Sequence, residues 1–186
     1  MKPLFFVLLV FPAIGLATER GDLEFTVGAG AWIPTGSDFE TSLSAGPAVV
    51  AGLQIPMFEQ NCIFLRTGYR SAGCDSAAWS GVSMIPFELG YRAYPFYHRY
   101  AGTRGLEPFL GASLGGYVAW DSPEEGDGTS AGGFKLSAEL GARIPIGRAT
   151  YLDIFFEPEW MPLGKDLAGE DNLSGMAVGA LLTFTP

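Results

Sequence analysis

The chain is poor in charge and nearly devoid of the residues that carry acid–base or metal chemistry. Only 17% of its 186 residues are charged, one is histidine and two are cysteine. A lone histidine without a CxxC pair offers no zinc ligand set, so neither a metal nor another cofactor is expected. Basic runs are missing too, and a net charge of -9 leaves no reason to expect a nucleic-acid partner. There are no heptads, no low-complexity linkers and no helix-period stretch longer than a turn or two. Past the N-terminus no apolar run reaches the ~18 residues of a membrane-crossing helix, so insertion into a bilayer would have to use strands.

What the chain does contain is 48% hydrophobic residues, 26 glycines and 14 phenylalanines, which disfavours disorder and suggests a closed, turn-rich β architecture. Its opening, "MKPLFFVLLVFPAIGLATERGD", has Lys2, a short apolar run from Leu4 to Leu16, and small residues Gly15 and Ala17 at the -3 and -1 positions of a cut. That pattern predicts a secretory signal peptide over residues 1–17 and one domain over residues 18–186; a retained anchor helix is the alternative.

Within the domain, alternation recurs about ten residues at a time. In "GFKLSAELGARIPI" Phe134, Leu136, Ala138, Leu140, Ala142, Ile144 and Ile146 face one way, and Lys135, Ser137, Glu139, Gly141, Arg143 and Pro145 the other. Similar segments predict eight strands, near residues 23–33, 48–55, 62–70, 82–94, 106–118, 133–146, 151–160 and 176–184. Most odd-numbered connectors are long and polar or acidic, whereas "PMFEQN" and "IGRAT" are short, an asymmetry expected of an outer-membrane barrel.

Alternation alone does not say which face meets lipid, because a soluble ligand-binding barrel has the same pattern turned inside out. Two features favour lipid on the apolar face. The polar face carries glycines at 28, 30, 52, 68, 90, 111, 115, 141 and 179, which suit a crowded interior and weaken a solvent-facing strand. Its charges are also nearly balanced: Glu24, Glu88, Glu139, Asp153, Glu157 and Glu159 against Arg66, Arg70, Arg92, Lys135 and Arg143. A narrow lumen would need such a set as an ion-pair network.

Trp32, Trp79, Tyr91, Tyr97, Trp120, Tyr151 and Trp160 fall near strand ends, as do Tyr94, Tyr100 and Tyr117; the first seven are expected at the lipid–water boundaries. Cys62 and Cys74 are separated by a predicted strand of about 40 Å, whereas a disulfide needs Cα atoms about 5.5 Å apart. The competing arrangement folds "CIFLRTGYRSAGC" as a bridged hairpin. His98, in "PFYHRY", has no nearby serine to activate, and no catalytic residue is expected; Glu157 and Glu159 read as lumen ion-pair partners rather than an acid–base pair.

Eight alternating strands, the segment "LEPFLGASLGGY" and the closing strand "GMAVGALLTF" resemble the small bacterial outer-membrane β-barrels of the OmpA, OmpX and opacity-protein group. The resemblance covers everything after the signal. In that group the last residue is usually aromatic, whereas here Phe184 is followed by Thr185 and Pro186. It implies an all-β, antiparallel up-and-down transmembrane barrel in the outer membrane, without enzymatic activity. Its partners would be outer-membrane lipids, the barrel-insertion machinery, and host or surface molecules met through loops. A lipid-modifying enzyme or a soluble lipocalin-like barrel are the alternatives.

Overall fold

A computed structural model describes residues 23–35, 43–57, 60–74, 79–96, 105–123, 127–167 and 170–186. The predicted signal peptide, Tyr97, His98 and Tyr100 lie outside them. Ten strands form in chain order: β1 (Glu24–Pro34), β2 (Gly46–Met57), β3 (Asn61–Gly73), β4 (Trp79–Ala93), β5 (Glu107–Pro123), β6 (Ser130–Pro145), β7 (Thr150–Trp160), β8 (Pro162–Leu167), β9 (Glu170–Asn172) and β10 (Gly175–Phe184). Each of β1 to β7 pairs antiparallel with its neighbour, and β10 pairs with both β7 and β1. Those eight strands therefore close into an up-and-down barrel with no free edge.

Several strands run further than the alternation suggests. β3 extends to Gly73 and β5 to Pro123, because their hydrogen-bonded ladders continue beyond the bilayer-length segment. β3 is also one extended strand with Cys62 and Cys74 at its two ends, so the bridged hairpin does not form. The connector after β7 is not a simple loop. It holds the short β8–β9 hairpin, and Gly133 of β6 pairs with Leu163 of β8.

Two prolines interrupt the barrel's ladders, since each lacks an N–H. Between β3 and β4 the pairing jumps from Thr67–Phe87 to Arg70–Met84, passing over Pro86. Thr67 Oγ1 donates instead to the Pro86 carbonyl at 3.0 Å. Between β6 and β7 the ladder likewise skips from Ser137–Glu159 to Leu140–Phe156 around Pro158.

The faces of the barrel answer the question that alternation leaves open. Leu114 and Leu140 are 57% and 56% exposed on the outside, whereas Lys135 and Arg92 are 0% exposed within. Val27, Val49, Leu65, Leu89, Leu136, Ile154 and Leu182 share the outer surface. A soluble calyx, apolar inside and polar outside, is the reverse of this arrangement.

Inside, glycine faces an aromatic ring on a neighbouring strand. Gly90 pairs with Phe64, and a Cβ at position 90 would fall within the Phe64 ring. Gly141 accepts Phe109 from β5 in the same way. A small barrel has room for one large side chain at each such level, so its neighbour has none. Gly90→Val should destabilise the barrel by about 1–3 kcal/mol, as overpacking does. Ala138→Val on the outer face should stay within about 0.5 kcal/mol. Urea midpoints of the two variants check this; equal midpoints would contradict it.

Candidate functional site

The inward positions of β1, β3, β4, β6 and β7 bring charge into one interior. Arg66 Nη1 lies 2.9 Å from Glu139 Oε1 across the lumen. Arg92 grips Glu139 with two bonds, Nη2 to Oε1 at 2.8 Å and Nε to Oε2 at 3.0 Å, and its Nη1 reaches Asp153 Oδ2 at 2.8 Å. Arg143 holds Asp153 by Nε at 2.8 Å and Nη2 at 3.1 Å. It also meets Glu24 at 3.2 Å and Gln54 Oε1 at 3.3 Å. Forked contacts of this kind match the planar guanidinium to the carboxylate, the geometry in which buried pairing recovers most of its desolvation cost.

A second cluster sits toward the end of the barrel from which β8 and β9 project. Lys135 Nζ contacts Glu88, and lies 2.9 Å from both Glu157 Oε1 and Glu159 Oε1. Arg70 pairs with Glu159. Glu157 and Glu159 thus both lie within ion-pair distance of Lys135.

Aromatic rings cover the guanidinium faces that hydrogen bonds leave bare. The Arg66 carbon lies 4.0 Å from the Phe64 centroid, and Arg92 lies 3.9 Å from Phe109 and 5.8 Å from Phe64. Arg143 stands over Tyr94 at 5.1 Å and Tyr151 at 4.7 Å. Cation–π attraction is strongest where water is excluded, as here. Just past the end of β4, burial pushes the Tyr94 hydroxyl above its ordinary range, so it stays neutral beside these arginines.

The end bearing β8 and β9 is closed by apolar contacts. Met161, Leu167 and Leu173 pack fully buried on Trp32, Val82, Met84, Tyr117 and Ala119 of the inner wall. Tyr117 Oη donates toward the carbonyls of Met161 and Pro162, at 3.1 Å and 2.8 Å. Met161 N donates to Ser174 Oγ at 2.8 Å, and Leu173 N to Met161 O at 2.9 Å.

The aromatic positions divide. Tyr91 and Trp160 are exposed on the outer surface, and Trp120 packs there against exposed Tyr69, their centroids 6.3 Å apart. Trp32 is corrected: it is wholly buried in the apolar closure, because its position shares the inward face of β1 with Glu24 and Thr26. Tyr151 is corrected as well, since its ring lies beneath Arg143 on the inward side of β7. The side chain of Trp79, like Tyr97, falls outside the described residues. Sequence reasoning missed Ser113, Ser137 and the β8–β9 closure; the parity of both serines with Lys135 or Gly111 on their strands was the available signal.

No protein-family model and no curated protein matches the chain. Solved structures do. Neisserial surface protein A superposes with a TM-score of 0.65 at 11% identity, covering 90% of this chain and 100% of that one. The fold is that of a small outer-membrane β-barrel. OprG, an outer membrane protein of Pseudomonas aeruginosa, gives 0.62 at 11% identity over 90% of this chain and 98% of its own. Ail, the attachment invasion locus protein of Yersinia pestis, gives 0.56 at 12% identity over 89% of this chain and 100% of its own. At such identities the likeness is one of fold.

Arg92 is the test of the pairing, because among the described residues it alone bridges Glu139 and Asp153. Arg92→Met should cost about 3–5 kcal/mol by stranding buried carboxylates. Glu24→Gln, at a longer contact, should cost less. Urea unfolding in lipid or detergent reads both, and an Arg92→Met barrel as stable as the parent would refute the assignment.

Proposed function

We propose that this protein is an integral outer-membrane barrel of Gram-negative type, without enzymatic activity, whose interior is a structural plug and whose connectors meet the cell's surroundings. The observation that carries this reading is the inversion of the barrel, with leucine, valine and phenylalanine outside and eleven paired charges inside. An outer surface of that kind is unfavourable in water and favourable in hydrocarbon. Tyr91, Trp120 and Trp160 would anchor it at the lipid boundaries. Residues 1–17 would serve as the export signal, and the insertion machinery would recognise the closing strand.

The plugged interior argues against a general diffusion pore, since an eight-stranded barrel is just wide enough for side chains to fill. Surface contact through the loops is the remaining role. One Ail structure is of its complex with the heparin analogue sucrose octasulfate. An adhesive function here would parallel the attachment in the name of that protein, a protective one would use the same loops, and lipids of the outer membrane would be the other partner.

Membrane fractionation combined with gel migration before and after boiling tests the placement. The protein should sediment with outer membranes and change mobility on heating. Leu114→Arg, in the middle of β5, should destabilise the lipid-embedded barrel by about 2–4 kcal/mol, the cost of a cation at the bilayer midplane. Recovery in the soluble fraction, or indifference to Leu114→Arg, would overturn the reading.

A further inference from the structure

The lumen ion pairs join six carboxylates to five cations, which leaves one negative charge without a cation of its own. The surplus falls in the cluster around Lys135. There, among the described residues, Glu88, Glu157 and Glu159 meet only Lys135 and Arg70, whereas the cluster around Arg92 matches three carboxylates to three arginines.

A separate count, made on hydrogens, points to the same place. Ser113 Oγ lies 2.9 Å from Glu88 Oε2, Ser113 and Ser137 Oγ atoms are 2.6 Å apart, and Ser137 Oγ lies 2.6 Å from Glu157 Oε1. Each of these three O···O contacts needs a hydrogen between its atoms, and the two hydroxyls supply two. An ionised carboxylate only accepts. Lys135 does not make up the deficit, because its hydrogens sit on Nζ outside the three O···O contacts, bonding Glu88 Oε2 and Glu157 Oε1 from the side.

We propose that a resident proton occupies the Glu88–Ser113–Ser137–Glu157 chain, so that one of its two terminal carboxyls is a neutral acid at neutral pH. With Glu88 protonated, Glu88 donates to Ser113, Ser113 to Ser137, and Ser137 to Glu157. In the mirror state Glu157 holds the proton and every bond runs the other way. Passing between them moves three protons by one hydrogen bond each, and the negative charge crosses from Glu157 to Glu88. No proton enters or leaves.

The chain runs around the barrel wall. Ser113 and Ser137 oppose each other on β5 and β6, while Glu88 and Glu157 sit on the flanking β4 and β7. It therefore holds a proton at one level of the barrel and does not conduct one along the axis. The charged groups that face it are Arg66 and Arg70 from β3, Lys135 and Glu139 from β6, and Glu159 from β7. The neutral form equalises cations and charged carboxylates among the ion-paired groups, where an unmatched charge is costly.

Infrared spectroscopy of the protein refolded at neutral pH in vesicles of ether-linked lipids, which carry no ester carbonyl, reads the proton through the C=O stretch that a carboxylic acid has and a carboxylate lacks. The band should be present in the parent and absent from both Glu88→Gln and Glu157→Gln. No band in the parent, or a band that persists in both variants, overturns the proposal. Should the glutamine variants not fold, Ser137→Ala, which removes a hydrogen-bonded link and no charge, must shift the band; an unmoved band overturns it equally.

Discussion

Charge enclosed in a cylinder that faces hydrocarbon can be neutralised only by charge inside the same cylinder, and the rest of the structure follows from that constraint. Most of the pairs join strands that are not neighbours; among the described residues only Arg143 with Asp153, and Lys135 with Glu157 and Glu159, link adjacent β6 and β7. Arg66 on β3 reaches Glu139 on β6, Arg92 on β4 reaches Asp153 on β7, and Arg143 on β6 reaches Glu24 on β1. Each contact spans the lumen and ties opposite walls together. A one-residue slip of β1, β3, β4, β6 or β7 would turn its charged side chains to the outer face, so register and pairing specify each other.

The interior is layered as a result. Apolar side chains from the β8–β9 segment close one end over Trp32 and Tyr117. Ion pairs fill the middle, and Tyr94, Phe109 and Phe155 pack toward the other end with Cys62 and Leu181. Aromatic rings serve both layers, since Phe64 and Phe109 cover arginine faces and occupy the space that Gly90 and Gly141 leave. An interior committed this fully to its own support leaves the outer surface and the connectors to carry function.

Much of the fold was legible in the sequence because a strand's side chains alternate with an invariant period. The eight barrel strands and their antiparallel order follow from that period and from connector lengths. Partners do not, since the four residues around Lys135 come from β3, β4 and β7 and meet only through closure and register. Trp32 shows how two rules compete: its parity on β1 points inward, while its place near a strand end suggests a boundary anchor, and parity prevails. The β8–β9 hairpin was hidden because Met161, Leu167 and Leu173 stand six residues apart among glycines and charges, too sparsely to show the alternation of a strand. Their apolar character within an otherwise polar stretch was the one sign that something must cover them.

Tryptophan fluorescence in vesicles of lipids brominated on the acyl chain separates inside from outside most directly. Two single-tryptophan forms suffice, one keeping Trp160 on the outer surface and the other keeping Trp32 in the closure. The account predicts strong quenching of Trp160 and little of Trp32. Quenching of Trp32 as strong as that of Trp160, or a Trp160 that aqueous iodide reaches and bromine does not, would contradict it.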